Sequence, residues 1–153
     1  MANLKLVGEK EQIVFGNDSI VIRKYGHSLA GGRVLDVEGF TPKVINAGHV
    51  IIKGADGYKP MPLNAEGTAY ASLPANHTYA GVLYRSILTA KPAASIMTAG
   101  VVNEAALPFA ISSIKSAFVA ACPHSLFESD EAVYTLYGVS ASSAAASEST
   151  GSN

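Results

Sequence analysis

Tyr79-Ala80-Gly81-Val82-Leu83-Tyr84 is followed, after a connection that contains Pro92, by Ala93-Ala94-Ser95-Ile96-Met97-Thr98-Ala99-Gly100-Val101-Val102-Asn103-Glu104. Both stretches are dense in apolar and β-branched residues and are bounded by turn formers, so they read as two strands. Gly100 reads as a break that opens a helix, because the apolar period changes after it. Neither stretch carries a group dedicated to catalysis.

Upstream, the same signals recur at short intervals. Gln12-Ile13-Val14-Phe15 and Ser19-Ile20-Val21-Ile22-Arg23-Lys24-Tyr25 flank Gly16-Asn17-Asp18 and predict a hairpin. Gly31-Gly32 separates it from Arg33-Val34-Leu35-Asp36-Val37. Lys43-Val44-Ile45-Asn46 and His49-Val50-Ile51-Ile52-Lys53, broken at Ala47-Gly48, predict a second close pair. Asp56-Gly57 is a turn, and Pro60 and Pro62 mark the segment after it as an edge or irregular run. Short strands with frequent turns predict a mainly β body, a small barrel or a sandwich.

Downstream of Gly100, Leu107, Ile111, Ile114 and Phe118 recur at helical spacing, which predicts one amphipathic C-terminal helix over about 107–121. Asn103 suits its cap, Glu104 its first turn, and Pro123 its end. Ala132-Val133-Tyr134-Thr135-Leu136-Tyr137 predicts a final strand. The Ser/Ala-rich residues 140–153 bury too little apolar surface to offset their ordering entropy and predict a flexible tail. The organisation expected is an N-terminal arm at 1–10, one β-rich domain at 11–139 and the tail at 140–153.

Composition narrows the function classes. The 153-residue chain is 15% charged, against about 25% for an ordinary globular protein, and its net charge is −1. A charge-poor surface predicts cover by partners or by copies of the same chain. No Lys/Arg run is present, so no nucleic-acid footprint is expected. No apolar run approaches the length of about 18 residues that spans a membrane, and residues 1–10 lack the apolar core and cleavage site expected of a signal peptide. The single cysteine, Cys122, fits synthesis in a reducing bacterial cytoplasm.

Candidate chemical sites are sparse. His27, His49, His77 and His124 are far apart and form no ligand motif, and the neighbours Cys122 and His124 leave a zinc site two ligands short. No metal and no cofactor are expected. Cys122 lies at the end of the predicted helix, where the dipole opposes a thiolate; catalytic cysteines favour the other end. No Gly-x-Ser-x-Gly elbow exists, and Gly26-His27-Ser28-Leu29-Ala30-Gly31-Gly32 lacks the Lys-Ser/Thr ending of a phosphate loop. The carboxylates Asp36, Glu38, Asp56, Glu66 and Glu104 are scattered. No catalytic residue is assigned, and the protein is read as non-enzymatic.

The strand-and-turn blocks Gly48-His49-Val50-Ile51-Ile52, Asp56-Gly57-Tyr58-Lys59-Pro60-Met61-Pro62 and the two quoted stretches, taken in order over about residues 45–110, resemble the head decoration proteins of tailed phages. The resemblance implies a β-tulip-like body and a structural virion protein. Such a protein binds the outer capsid surface and braces the major capsid protein lattice. Its partners would be the major capsid protein and either its own copies, as a trimer, or another head protein; its location would be the outer surface of the virion. The family's arm pairs with capsid strands, and the matching residues here are Asn3, Leu4, Lys5, Leu6 and Val7, whose alternation suits addition to a sheet edge.

The chain departs from the smallest family members in an extra β-rich segment before residue 45 and in an extension after residue 110. A further interface is expected on the polar loop from Asn64 to Asn76, with Tyr70 as an aromatic contact. The alternative reading is a head-fibre or adhesin-like module that binds host surface glycans through Tyr70 and Tyr79.

Overall fold

The computed structural model describes residues 17–129. A short helical turn α1 (Asp18–Val21) leads into β1 (Ile22–Ser28). The two-residue strands β2 (Arg33–Val34) and β3 (Val44–Ile45) precede β4 (Val50–Gly54), β5 (Gly57–Pro60) and β6 (Thr78–Leu83). After β7 (Ile87–Leu88) and β8 (Ala93–Ala94) comes β9 (Ile96–Asn103), then a 3-10 turn (Glu104–Ala106), the helix α2 (Lys115–Ala121) and β10 (Ser125–Glu128).

The fold is mainly β with one helix beyond single turns. Among the described residues its principal sheet is open: the order is β1-β9-β6-β4-β5, with β10 parallel to β9, and these strands do not close into a barrel. Two short ribbons, β2 with β8 and β3 with β7, complete the pairing.

The centre of the sheet is buried on both faces, which explains the unbroken apolar run Val50-Ile51-Ile52. Alternate residues go to opposite cores. Val50, Ile52, Val82 and Met97 join Met61, Tyr70 and Phe118 on one side. Ile51, Leu83 and Ile96 join Leu35, Ile45 and Ala94 on the other. Val82 pairs with Val50 and Met97, and Leu83 with Ile96, so each cross-strand row supplies one core. Ala80 is the extra residue of a bulge opposite Ile51 and Ile52.

β9 has more neighbours than a regular strand. β1 runs along one edge, while β6 takes its first residues and β10 its last ones on the other edge. The sheet therefore forks. Two glycines permit the close approaches: Gly81 (φ +147°), where a Cβ would strike the Met97 carbonyl oxygen, and Gly100 (φ +156°), where it would lie 2.5 Å from the Lys24 carbonyl oxygen. Gly100 is thus a strand residue, and β9 runs on to Asn103 with no helix opening at the glycine. The sequence signal was real, but it marked a close backbone approach.

Of the two predicted local pairs, the second is replaced by distant pairings, and half of the first lies outside the described residues. Residues 19–21 are helical, and β1 pairs with β9; residues 12–15, the other half of the expected hairpin, lie outside the described residues. β3 does not pair with β4: Gly48, at φ +83°, turns the chain from the ribbon into the main sheet, so β3 meets β7 while β4 meets β5 and β6. Pro60 does sit on the edge strand expected for it.

The helix predicted over 107–121 shrinks to Lys115–Ala121. Leu107, the residue before Pro108, is held extended (φ −59°, ψ 144°), as the proline ring requires. Ile111, Ile114 and Phe118 are all buried, because Ile114 N donates to Ile111 O and Phe118 N to Ile114 O, which carries the spacing through a turn into the helix. Asn103 makes no capping bond, and its Oδ1 is buried without a partner. The strand β10 had no strong signal in the sequence. The strand expected at 132–137, the arm at 1–10 and the tail at 140–153 lie outside the described residues.

Candidate functional site

The polar loop after β5 is built by one side chain. Asn64 Oδ1 accepts hydrogen bonds from Thr68 N (2.9 Å) and Ala69 N (3.2 Å), while Gly67 N donates to Asn64 O at 2.9 Å with Gly67 at φ +68°. Asn76, at φ +59°, holds a second exposed turn. Asn64 is half-buried at the base of its loop, and Asn76 is exposed.

Tyr70 is 5% exposed, and its hydroxyl accepts the Val50 N–H at 3.0 Å. Burial pushes its phenol well above the usual tyrosine range, so it stays neutral. Tyr70 is a post beneath the loop. Tyr79 is half-buried with its ring 5.5 Å from that of Phe118, so neither tyrosine offers the open face that the glycan alternative asked of them. Nothing in the residue types separated these rings from exposed ones, since tyrosine suits both settings.

Beside the loop lies a cleft of about 490 Å³ bordered by Asp36, Glu38, Phe40, Lys59, Pro62 and Glu66. Three carboxylates that look scattered in the sequence are gathered here. All three are exposed, and Asp36 Oδ1 accepts the Glu38 N–H at 3.0 Å. This rim is a solvated acidic border to the loop.

Phe40 and Phe109 at the cleft stand edge-on to His49, as does Tyr70. His49 is fully buried; its Nε2–H donates to Met61 O at 3.0 Å, and its Nδ1 has no partner. Loss of water pushes its pKa down to about 4, and the Met61 carbonyl opposes that only in part. The ring is neutral at pH 7.

The remaining histidines do not meet. His27 bonds Thr98 Oγ1, His77 Nδ1–H donates to Ala75 O, and His124 lies at the start of β10. Among the described residues no three His, Cys, Asp or Glu side chains converge on a point that could hold a metal. No helix among them is long and apolar enough to cross a membrane.

Cys122 caps the end of α2, as the sequence places it, with Sγ 3.7 Å from Tyr79 O. Burial pushes its thiol up, away from the reactive thiolate. In the native protein at pH 7.5, Cys122 will react with an aromatic disulfide reagent at least about tenfold more slowly than in urea, where the thiol regains its ordinary acidity and access. Equal rates measured by absorbance would show the thiol to be open.

A second cleft, of about 620 Å³, lies between β1 and the end of β6 and is bordered by Asp18, Ile22, Arg23, Tyr25, Tyr84 and Arg85. No signal in the sequence singled it out, because its two sides are far apart along the chain. Exposed apolar residues also occur at Ile20, Val34 and Leu126.

Comparison of the chain with protein-family models, with curated proteins and with solved structures finds no match.

Proposed function

We propose that this protein is a structural, non-enzymatic virion component that binds the outer surface of a tailed-phage capsid and reinforces the lattice of its major capsid protein. The observation that carries the reading is the run of strand and turn blocks over residues 45–110, whose resemblance is to head decoration proteins. Those same blocks supply β4, β6 and β9, the centre of the main sheet, and its edge strand β5. A body of this kind holds its surface loops rigidly, and a rigid surface loses little entropy on docking.

The edge geometry supports it further. Among the described residues β1 is an edge strand of seven residues, five of them successively exposed. Addition of Asn3, Leu4, Lys5, Leu6 and Val7 to a strand of the major capsid protein would anchor the body, and the Asn64 and Asn76 turns would supply a second contact. Repetition over a lattice multiplies a modest single-site affinity, since each copy braces neighbouring subunits. A trimer of the chain, or another head protein seated on the surface, fits the same arrangement.

The test is co-sedimentation with expanded shells of the cognate major capsid protein, with unexpanded shells as control. Saturable binding to expanded shells is expected, and deletion of residues 2–8 is expected to abolish it while leaving the unfolding midpoint of the body unchanged. Undiminished binding of the deletion variant overturns the role of the arm; absence of binding by the full chain to either shell overturns the capsid reading.

A further inference from the structure

The cleft between β1 and β6 has the chemistry of a binding site. Tyr25 and Tyr84 stand with ring centroids 4.9 Å apart and planes tilted by 52°. The Arg85 guanidinium lies 5.3 Å from the Tyr84 centroid. Tyr25 is 47% exposed, unusually open for an aromatic residue on a sheet, and its hydroxyl is fixed by Ser28 Oγ at 2.8 Å. The volume, about 620 Å³, is that of a small-ligand site.

The charges around it are unequally occupied. Asp18 spends both carboxylate oxygens on Ser86, one accepting the backbone N–H at 2.9 Å and the other the hydroxyl at 2.5 Å. Arg23 is engaged by Glu128 at 3.4 Å. Arg85 is exposed, and no carboxylate among the described residues pairs with it. Stacking on Tyr84 orients its planar fork, which matches a carboxylate with two parallel hydrogen bonds.

One oriented guanidinium beside the exposed Tyr25 ring, with the half-buried Tyr84 behind it, suits a ligand with one carboxylate and an amphipathic ring. A polyphosphate or nucleic-acid backbone would call for several cations, and this cleft offers one that is not already engaged. A sugar acid meets the requirement: the C–H face of its ring packs on an aromatic side chain, and its carboxylate takes the fork.

We propose that this cleft binds an acidic saccharide, with the sugar carboxylate on Arg85 and the ring face on Tyr25, which Tyr84 backs. The site uses Tyr25 of β1 but none of the arm or turn residues that the capsid reading assigns to contact, and its test is independent of that reading.

The experiment is isothermal titration calorimetry of the full chain with two acidic probes, tetragalacturonic acid and 3′-sialyllactose. Fully methyl-esterified tetragalacturonate serves as the uncharged counterpart. At least one acidic probe is expected to bind saturably. Loss of the charge, by Arg85→Gln or by the ester, is expected to weaken binding about tenfold or more. Arg85→Lys keeps the charge without the fork and should recover only part of the loss. Tyr25→Ala should weaken binding as well, and Arg85→Gln, a change at an exposed side chain, keeps the test decisive should the tyrosine variant lose stability. Failure of both acidic probes to bind at millimolar concentration, equal binding of acid and ester, or full affinity in Arg85→Gln each overturns the site.

Discussion

Phe118→Ala will lower the stability of the protein by about 3–5 kcal/mol in urea denaturation at pH 7. Phe118 is fully buried, with its ring centroid 5.5 Å from that of Tyr79 on β6 and 5.4 Å from that of Phe127 on β10. Those two strands share one edge of β9 and diverge from it, so Phe118 sits where the sheet forks. Its removal leaves a void between strands whose separation is fixed by their pairing to β9, which prevents collapse around the cavity.

The helix that carries Phe118 has seven residues, too few to persist in water without tertiary contacts. Losing the ring therefore loosens α2 as well. Val119→Ala, one position along at a side chain 38% exposed, should change stability by no more than about 0.5 kcal/mol. A loss below about 1 kcal/mol for Phe118→Ala would mean that the fork repacks, contrary to this account.

Acid will destabilise the protein through His49. Its pKa falls from 6.5 to about 4 because burial disfavours the imidazolium. Between those values the unfolded chain binds a proton that the folded chain does not, so unfolding free energy falls as pH falls. The contribution is fully present above pH 6.5, is reduced by about 2 kcal/mol at pH 5 and by about 3 kcal/mol at pH 4. The groups around the ring are Phe40, Tyr70, Phe109 and the Met61 carbonyl, none of which titrates in this window.

Replacing the imidazole by a ring that cannot titrate, in His49→Phe, should flatten the stability profile between pH 7 and 4, whatever it does to stability at neutral pH. An unchanged slope in His49→Phe would assign the acid sensitivity to other groups. The same site explains why a lone histidine in a strand was hard to read: a catalytic or metal-binding histidine and a neutral core histidine differ in their surroundings, and those come from residues remote in the chain.

Much of the strand content was legible because it is a local property. Val50-Ile51-Ile52, Tyr79 to Leu83 and Ile96 to Val102 are too apolar and too β-branched to be loops, and Asp56-Gly57 and Pro60 marked a turn and an edge. The helix was legible in position and in its buried residues, Ile111, Ile114 and Phe118, but not in length. A four-three-four spacing is met equally by a continuous helix and by a turn followed by a shorter helix.

Pairing was not legible. A hairpin has the lowest chain-entropy cost for any strand, yet β3 pairs with β7 and not with β4, because that pairing buries Ile45 in a continuous core; the pairing of β1 with β9, which buries Ile22 and Val102, had no local signal either. Gly100 shows the same limit in a single residue. A glycine within an apolar run signals either a break or a close approach, and only the Lys24 carbonyl across the sheet decides which.

The sequence by itself determined that this is a mainly β protein with one helix near its C-terminal side, a charge-poor surface and no recognisable catalytic motif. Each of these depends on residue type and near-neighbour spacing. The tertiary structure alone decided that the sheet forks, that Tyr70 and His49 are interior, and that Asp36, Glu38 and Glu66 border one cleft while Tyr25, Tyr84 and Arg85 border another. Burial and convergence are properties of distant segments brought together by strand pairing, and no local pattern in the chain encodes which segments will meet.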